Sequence, residues 1–150
     1  MDRRDVHPHH LLRAVLGDRL VREILGDLDV DADEVLVTLD QHWLAAADTI
    51  DVEEIEAVGI DLPTVLAAIN PPFDEPPDWG GRQLTVATRD LLMRALAVRG
   101  PTQAVRVGSS HLLLSLMSSR DPLVSATLRA HSLHGRAARG VVERWSRRAP

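Results

Sequence analysis

The sequence predicts an all-α protein, a bundle of about eight or nine helices in which one helical unit is duplicated about an approximate two-fold axis. Three observations predict this class. Short apolar runs recur at helical spacing between helix caps, and signals for β-strands are weak throughout. The segment from Val107 to Trp145 resembles the segment from Val6 to Trp43. A proline-rich stretch lies between the two copies.

The two copies align through their histidines. With His10 placed on His111, HLLRAVL stands against HLLLSLM, and further along Leu25 matches Leu128. Both copies then end at a tryptophan, within one residue of each other. Roughly 100 residues separate the copies, which is too long for a solenoid period, so we interpret them as one duplicated unit.

Caps and breakers divide the first half into five predicted helices. Pro8 opens the first helix, at a position where its missing N–H costs nothing. Asp18 caps the second helix, and Asp31 begins a capping-box-like D-x-x-E at the third, which the alanines 45–47 close. Asp51 and Asp61 begin two shorter helices that end near residues 58 and 69.

The second half predicts four more helices. Each has an N-cap candidate or a breaker at its boundary, and Gly100-Pro101 ends the longest of them. They run from Thr85 to Arg99, from Ser109 or Ser110 through HLLLSLM, from Asp121-Pro122 onward, and from about His134 to Ser146.

We expect a single domain over residues 1–150, with a first repeat at 6–69, a linker at 70–83 and a second repeat at 84–148. The linker, NPPFDEPPDWGGR, excludes regular structure through its four prolines and two glycines. Charge changes sign here: residues 1–79 carry a net −14 and residues 80–150 a net +9. Either the two halves neutralise each other, or the second half offers a basic binding surface.

Composition excludes several classes of protein. There is no cysteine, so neither disulfides nor thiolate chemistry is available. The opening MDRRDVHPHH has no apolar run typical of a secretory signal. No apolar stretch approaches the roughly 20 residues that span a bilayer, so we expect a cytoplasmic protein.

One motif resembles a known family. Residues 108–114, GSSHLLL, are similar to the G-T-E-H-L-L-L motif of the Clp N-terminal repeat, found on ClpA- and ClpC-type unfoldases and on small stand-alone relatives. Residues 51–69 are similar to the segment between the repeats of actinobacterial stand-alone members, and residues 84–99 resemble the F-T-P-R-A-K-x-V-L-x-x-A helix of the family in pattern. The resemblance covers nearly the whole chain. It implies the double-repeat Clp N-domain fold and binding of Clp substrates, adaptors or the unfoldase itself.

The chain departs from this family at three places. No long helix precedes the first HLL helix, because only six residues precede His7. The motif glutamates, which in ClpC-type domains help to bind phosphorylated arginine, are His9 and Ser110 here, so the carboxylates that would pair with a guanidinium are missing. No G-x-x-x-x-G-K-[ST] is present, so the ATPase is absent.

The resemblance therefore implies a non-enzymatic protein-interaction module that needs no cofactor. Its binding groove would lie between the repeats, at the starts of the two HLL helices. The residues expected to line it are His9, His10, Ser109, Ser110 and His111.

The sequence gives little support for a metal site or for a catalytic triad. His7, His9 and His10 form an H-x-H-H cluster, but His42 stands elsewhere in the first half and neither a cysteine nor a clear fourth ligand is present, so we expect no metal site. Ser109, Ser110 and His111 are neighbours at a helix start, which does not direct them at each other as a catalytic triad requires.

Two alternatives to protein recognition at the groove stay open. Arginines make the last helices basic and could bind nucleic acid or an acidic protein partner. A second copy could instead fill the groove left by the missing first helix, which would make a homodimer. The arginines concerned are Arg136, Arg139, Arg144, Arg147 and Arg148.

Overall fold

The computed structural model describes residues 5–46, 83–98 and 107–148. These residues are almost entirely helical, so the predicted fold class is confirmed for them. In chain order the elements are β1 (Asp5–Val6), α1 (Pro8–Leu16), α2 (Arg19–Asp27), α3 (Ala32–Ala46), β2 (Gln83–Leu84), α4 (Val86–Val98), α5 (Ser109–Met117), α6 (Pro122–Ala130) and α7 (Arg136–Arg148). The two short helices expected within 51–69 lie outside the described residues, so the count of eight or nine stays a prediction.

A histidine in the first turn caps the leading helix of each copy. In α1, the Nδ1 atom of His10 accepts a hydrogen bond from the His7 backbone N–H at 2.9 Å. In α5, Nδ1 of His111 accepts one from the Gly108 N–H at the same 2.9 Å. Each histidine thus takes the place that glutamate holds in an ordinary capping box, because its ring nitrogen reaches back to the N-cap amide.

An aspartate caps the second helix of each copy. Asp18 accepts from the Val21 N–H at 3.1 Å, and Asp121 accepts from the Val124 N–H at 3.1 Å. Such a cap satisfies one of the unpaired amides of the first turn and stabilises a helix by about 1 kcal/mol.

The same turn ends α2 and α6. Asp29 and Ser132 have positive φ angles, 58° and 57°. Beyond each of them, the next amide donates to a leucine carbonyl in the last helical turn, at 2.9 Å in α2 and 2.8 Å in α6. This is the Schellman arrangement, in which a left-handed residue satisfies the last carbonyls. The pairs are Val30 with Leu25 and Leu133 with Leu128.

The helices of the two copies pack in reciprocal pairs. α1 packs against α5, while α3 packs against α6 and α2 against α7. The cross contacts are also exchanged, because α1 touches α6 and α2 touches α5. Reciprocal contacts of this kind are what two similar units produce around an approximate two-fold axis.

Leucines supply most of the core between these helices. Side chains of this size each contribute about 1.5 to 3 kcal/mol when fully buried. The largest fully buried side chains are Leu11, Leu12, Leu16, Ile24, Leu25, Leu39, Leu112, Leu113, Leu114, Leu116, Leu128 and Val6.

A short parallel strand pair, which the sequence did not predict, joins the segments before α1 and α4. Val6 is the register partner of Leu84, and Gln83, which was expected in the linker, belongs to β2. The Val6 carbonyl also accepts from the Thr85 N–H at 3.2 Å and from the buried Thr88 hydroxyl at 2.6 Å. Two residues are too few to show the alternation of a strand in sequence.

The burial of α1 is relevant to the expectation that a second copy fills a groove left by a missing first helix. α4 packs against both α5 and α1. Within α1 only Arg13 and Ala14 are half-buried, and all its other residues are buried. The helix itself therefore presents no open apolar face for a second copy.

The two tryptophans that end the copies make different contacts. The Trp43 ring lies against α1, 5.1 Å from the His9 ring centroid. Trp145 instead donates from Nε1 to Asp27 at 2.6 Å. Their one-residue displacement in the alignment corresponds to a rotation of about 100° around a helix, which explains the different directions.

Replacing Ser132 with glycine is expected to raise the free energy of unfolding by about 0.5 to 1 kcal/mol. Glycine removes the steric cost of a left-handed residue, which is roughly 1–2 kcal/mol. Part of this gain is lost again, because glycine makes the unfolded chain more flexible and so raises the entropy cost of folding. Urea denaturation would measure the change.

The control is Ser125→Gly inside α6, where the same substitution should lower stability by about 0.5 to 1 kcal/mol. Destabilisation of equal size in both variants would contradict the left-handed assignment at Ser132.

Candidate functional site

The two HLL helices, α1 and α5, pack antiparallel. At the start of α5, the Ser109 hydroxyl donates to Asp18 at 2.7 Å, and Asp18 follows the end of α1. At the other end, Asp121 follows α5 and acts electrostatically on His9, near the start of α1. The starts of the two helices therefore lie at opposite ends of the pair.

This orientation divides the predicted groove residues into two groups. One end holds His9 and His10 with His7 and Trp43, which we name the α1 cluster. The other holds Ser109, Ser110 and His111 with Asp18, which we name the α5 cluster. The five predicted residues thus form two separate polar clusters at the seam between the copies.

In the α1 cluster, aromatic rings surround His9. Ring centroids lie 4.1 Å from His10, 5.1 Å from Trp43 and 5.5 Å from His7. His9 is 6% exposed, and its Nε2 atom has no hydrogen-bond partner. Burial, assisted by the neighbouring His7 and opposed by Asp121, lowers the pKa of His9 from 6.5 to about 4. His9 is therefore neutral at pH 7.

Arg13 forms one wall of the α1 cluster. Its guanidinium pairs with Asp40 on α3, and its central carbon lies 6.0 Å from the Trp43 ring centroid. Burial lowers the pKa of Arg13. The ion pair and the ring contact together hold the cluster between α1 and α3.

In the α5 cluster, adjacent serines differ in their hydrogen bonding. Ser109 donates to Asp18 and so links the start of α5 to the cap of α2. Ser110 is 1% exposed, and its hydroxyl has no partner. His111 is committed through Nδ1 to the Gly108 amide. Ser110 is therefore the polar side chain of this cluster that the fold leaves unexplained.

Apart from Arg13 and Asp40, which form an ion pair, the buried side-chain atoms without a hydrogen-bond partner occupy matching places in the two helices. His9 is the second residue of α1, and Ser110 is the second residue of α5. Leaving a buried polar group without a partner costs about 1–3 kcal/mol. The first turn of a helix also carries amides without intrahelical partners and a partial positive charge. Each cluster therefore holds one buried polar atom whose hydrogen-bonding capacity the described residues leave unused.

Two polar contacts beside these clusters are helix caps. Asp121 bonds the Val124 amide, and the His111 ring bonds the Gly108 amide. Although three histidine rings adjoin in the α1 cluster, no three histidine or acidic side chains in the described part of the chain are placed to hold a metal ion.

Most of the predicted basic surface is found on α7. Arg136, Arg144 and Arg147 are exposed and fall within an arc of about 80° at 100° per residue. Arg139 borders this arc, 60° from Arg136, and its guanidinium is already engaged, because it bonds Glu143 at 3.2 Å and Ser118 at 2.5 Å. The side chain of Arg148 lies outside the described residues.

Ion pairs stay within each copy. Over residues 5–46, 83–98 and 107–148, no ion pair joins the acidic first half to the basic second half, so neutralisation of one half by the other is not seen in these contacts. The pairs are Arg13–Asp40, Arg19–Glu23, Arg22–Asp33 and Arg139–Glu143.

Sequence reasoning identified Asp18 and Asp121 only as helix caps. It missed that each lies beside the leading helix of the other copy. No local signal could reveal this, because the contact between Ser109 and Asp18 spans 91 positions of sequence.

A cleft beside Asp121 was also missed. It has a volume of about 380 Å³ and lies between α4 and the start of α6. Leu91 and Pro122 contribute apolar surface to it, and Arg94 and Arg120 contribute charge.

Protein-family models, curated proteins and solved structures were compared with the chain, and none matches it. The geometry by itself defines an all-helical protein with a polar cluster at each end of a central antiparallel helix pair. None of the helices within the described ranges has the length and apolar character needed to cross a membrane.

Truncating Ser110 to alanine is expected to raise the free energy of unfolding by about 1 kcal/mol, because it removes a buried hydroxyl that has no partner. Its neighbour provides the control. Ser109→Ala should lower stability by about 1–2 kcal/mol, because it breaks the bond to Asp18. Chemical denaturation measures both, and equal effects would show that Ser110 is satisfied.

Acidification should destabilise the protein through His9. Its folded pKa, about 4, lies below the ordinary 6.5. The unfolded chain therefore binds the proton first, and stability that is complete above pH 6.5 is lost as pH falls towards 4, by roughly 2–3 kcal/mol.

Denaturation at a series of pH values would measure this slope. His9→Gln should flatten it, whereas His134→Gln, on the exposed surface, should leave it unchanged. A His9→Gln profile as steep as that of the wild type would contradict the assignment.

Proposed function

We propose that this chain is a non-enzymatic protein-interaction module that resembles the adaptor- and substrate-binding N-domain of Clp unfoldases and lacks the ATPase. The observation that carries the proposal is the matched pair of unpartnered buried atoms, Nε2 of His9 and the hydroxyl of Ser110. Sites where stability is given up at equivalent places of a duplicated fold are typical of ligand recognition.

The recurring local geometry supports the double-repeat assignment. Histidine caps open α1 and α5, aspartate caps open α2 and α6, and left-handed residues close α2 and α6. Together with the reciprocal helix pairs, these features fit two Clp-type repeats facing each other across α1 and α5.

The chemistry of the two clusters limits what they bind. In ClpC-type domains a glutamate occupies the position of His9 and of Ser110 and helps to bind phosphorylated arginine. Here His9 is neutral at pH 7 and Ser110 is a hydroxyl. We therefore propose that the clusters take neutral hydrogen-bonding groups of a protein segment, and that phosphorylated arginine binds more weakly than it does in ClpC-type domains.

The test is a pull-down from the cytoplasm with wild type and with the double variant His9→Leu/Ser110→Ala. Wild type should recover Clp unfoldase subunits or their client proteins. The variant should recover at least roughly tenfold less, since two hydrogen bonds of about 1 kcal/mol each are lost.

A matched control is His134→Leu/Ser125→Ala, which makes the same chemical changes on α6 and on the exposed surface. It should bind as the wild type does. The proposal fails if wild type recovers neither unfoldase nor clients, or if both double variants recover them equally.

A further inference from the structure

The basic face of α7 is open at its centre. Its exposed arginines, Arg136, Arg144 and Arg147, surround Gly140 on the helical wheel. A Cβ atom built on Gly140 would meet nothing within 4 Å. Another helix could therefore approach the α7 backbone closely here, between arginine side chains.

The outer face of α3 has the complementary character. Val37 and Leu44 are 55% and 52% exposed and stand two turns apart on the same face as Glu34. Asp33 and Glu34 make the first turn of α3 acidic. The face is thus acidic at one end and carries Val37 and Leu44, with the exposed Gln41 beside them, along the rest.

The two faces do not meet within one chain. α3 packs on α1 and α6, and α7 packs on α5 and α2, each through its other side. Arg136, Arg144 and Arg147 take part in none of the ion pairs of the described residues. Among the described residues, neither face is therefore covered by the other.

We propose that the outer face of α3 docks on the arginine face of α7 in a second copy of this chain. The lengths match, because Glu34 to Leu44 spans about 15 Å and Arg136 to Arg147 about 16 Å at 1.5 Å per residue.

An antiparallel arrangement places Glu34, together with Asp33, which also pairs with Arg22 of its own chain, opposite Arg144 and Arg147. A nucleic acid would offer only negative charge to the α7 arginines, whereas the α3 face of a second copy offers charge at one end and apolar side chains beyond it. We therefore favour a second copy over a nucleic acid as the partner of this face. The arginine stems cover the apolar part, Val37 and Leu44.

The contact joins different faces of the two copies, so it is head-to-tail and can continue from chain to chain. It lies outside both polar clusters and is independent of the function proposed for them. It also differs from a dimer through α1, whose apolar residues are buried.

Light scattering tests the proposal directly. At about 0.02 M salt the wild-type mass should rise with concentration above the 16.5 kDa of the monomer. At about 1 M salt, where the Debye length is only about 3 Å, the mass should return towards that of the monomer.

Two variants each remove one face. Arg144→Glu/Arg147→Glu removes the basic face, and Glu34→Arg/Val37→Ser removes the α3 face. Each should be monomeric alone, and a mixture should form 1:1 dimers that grow no further, because each variant retains the face that the other has lost. Circular dichroism confirms that both are folded.

Arg89→Glu/Arg120→Glu is the matched control, since it changes the net charge equally at exposed arginines outside the α7 face. It should associate as the wild type does. The proposal is overturned if the wild type stays monomeric at low salt, if the mixture stays monomeric, or if the control is as defective as the α7 variant. It is also overturned if the α7 variant loses only the binding of added DNA or RNA.

Discussion

The antiparallel contact between α1 and α5 is the constraint on which the rest of the structure depends. Each helix is buried on most of its circumference, so each must be enclosed by other helices. The bond from Ser109 to Asp18 sets the end of one helix against the start of the other. Every reciprocal contact between the two copies follows from this central pair.

That arrangement explains why the seam carries polar side chains. The start of a helix needs hydrogen-bond acceptors, and here those starts are enclosed by the other copy. Most of the polar atoms find partners, among them Ser109, Asp18 and His111. His9 and Ser110 do not, and the leucine core around them is extensive enough to bear this cost. The two clusters are thus the places along the seam where stability is given up.

The distribution of charge over the chain is independent of how the core packs. The first half of the chain is acidic and the second half is basic, yet the ion pairs of the described residues stay within each copy. Packing of the central helices is apolar and capping is local, so neither requires the halves to exchange charge. The outer helices consequently keep faces of opposite character, and these are suited to contacts between molecules.

Local features of the fold were predictable from sequence, because they act over a few residues. The caps at Asp18 and Asp121 join positions three apart, so their residue type indicates where α2 and α6 begin. The histidine caps of α1 and α5 were not predicted from residue type, because histidine is not a usual capping residue. Leucine spacing indicates which face of each helix is buried. Tertiary structure alone decided that the two polar clusters lie at opposite ends of a pair and that His9 is buried. It also decided that Val6 pairs with Leu84, because these outcomes depend on contacts between residues that are distant in sequence.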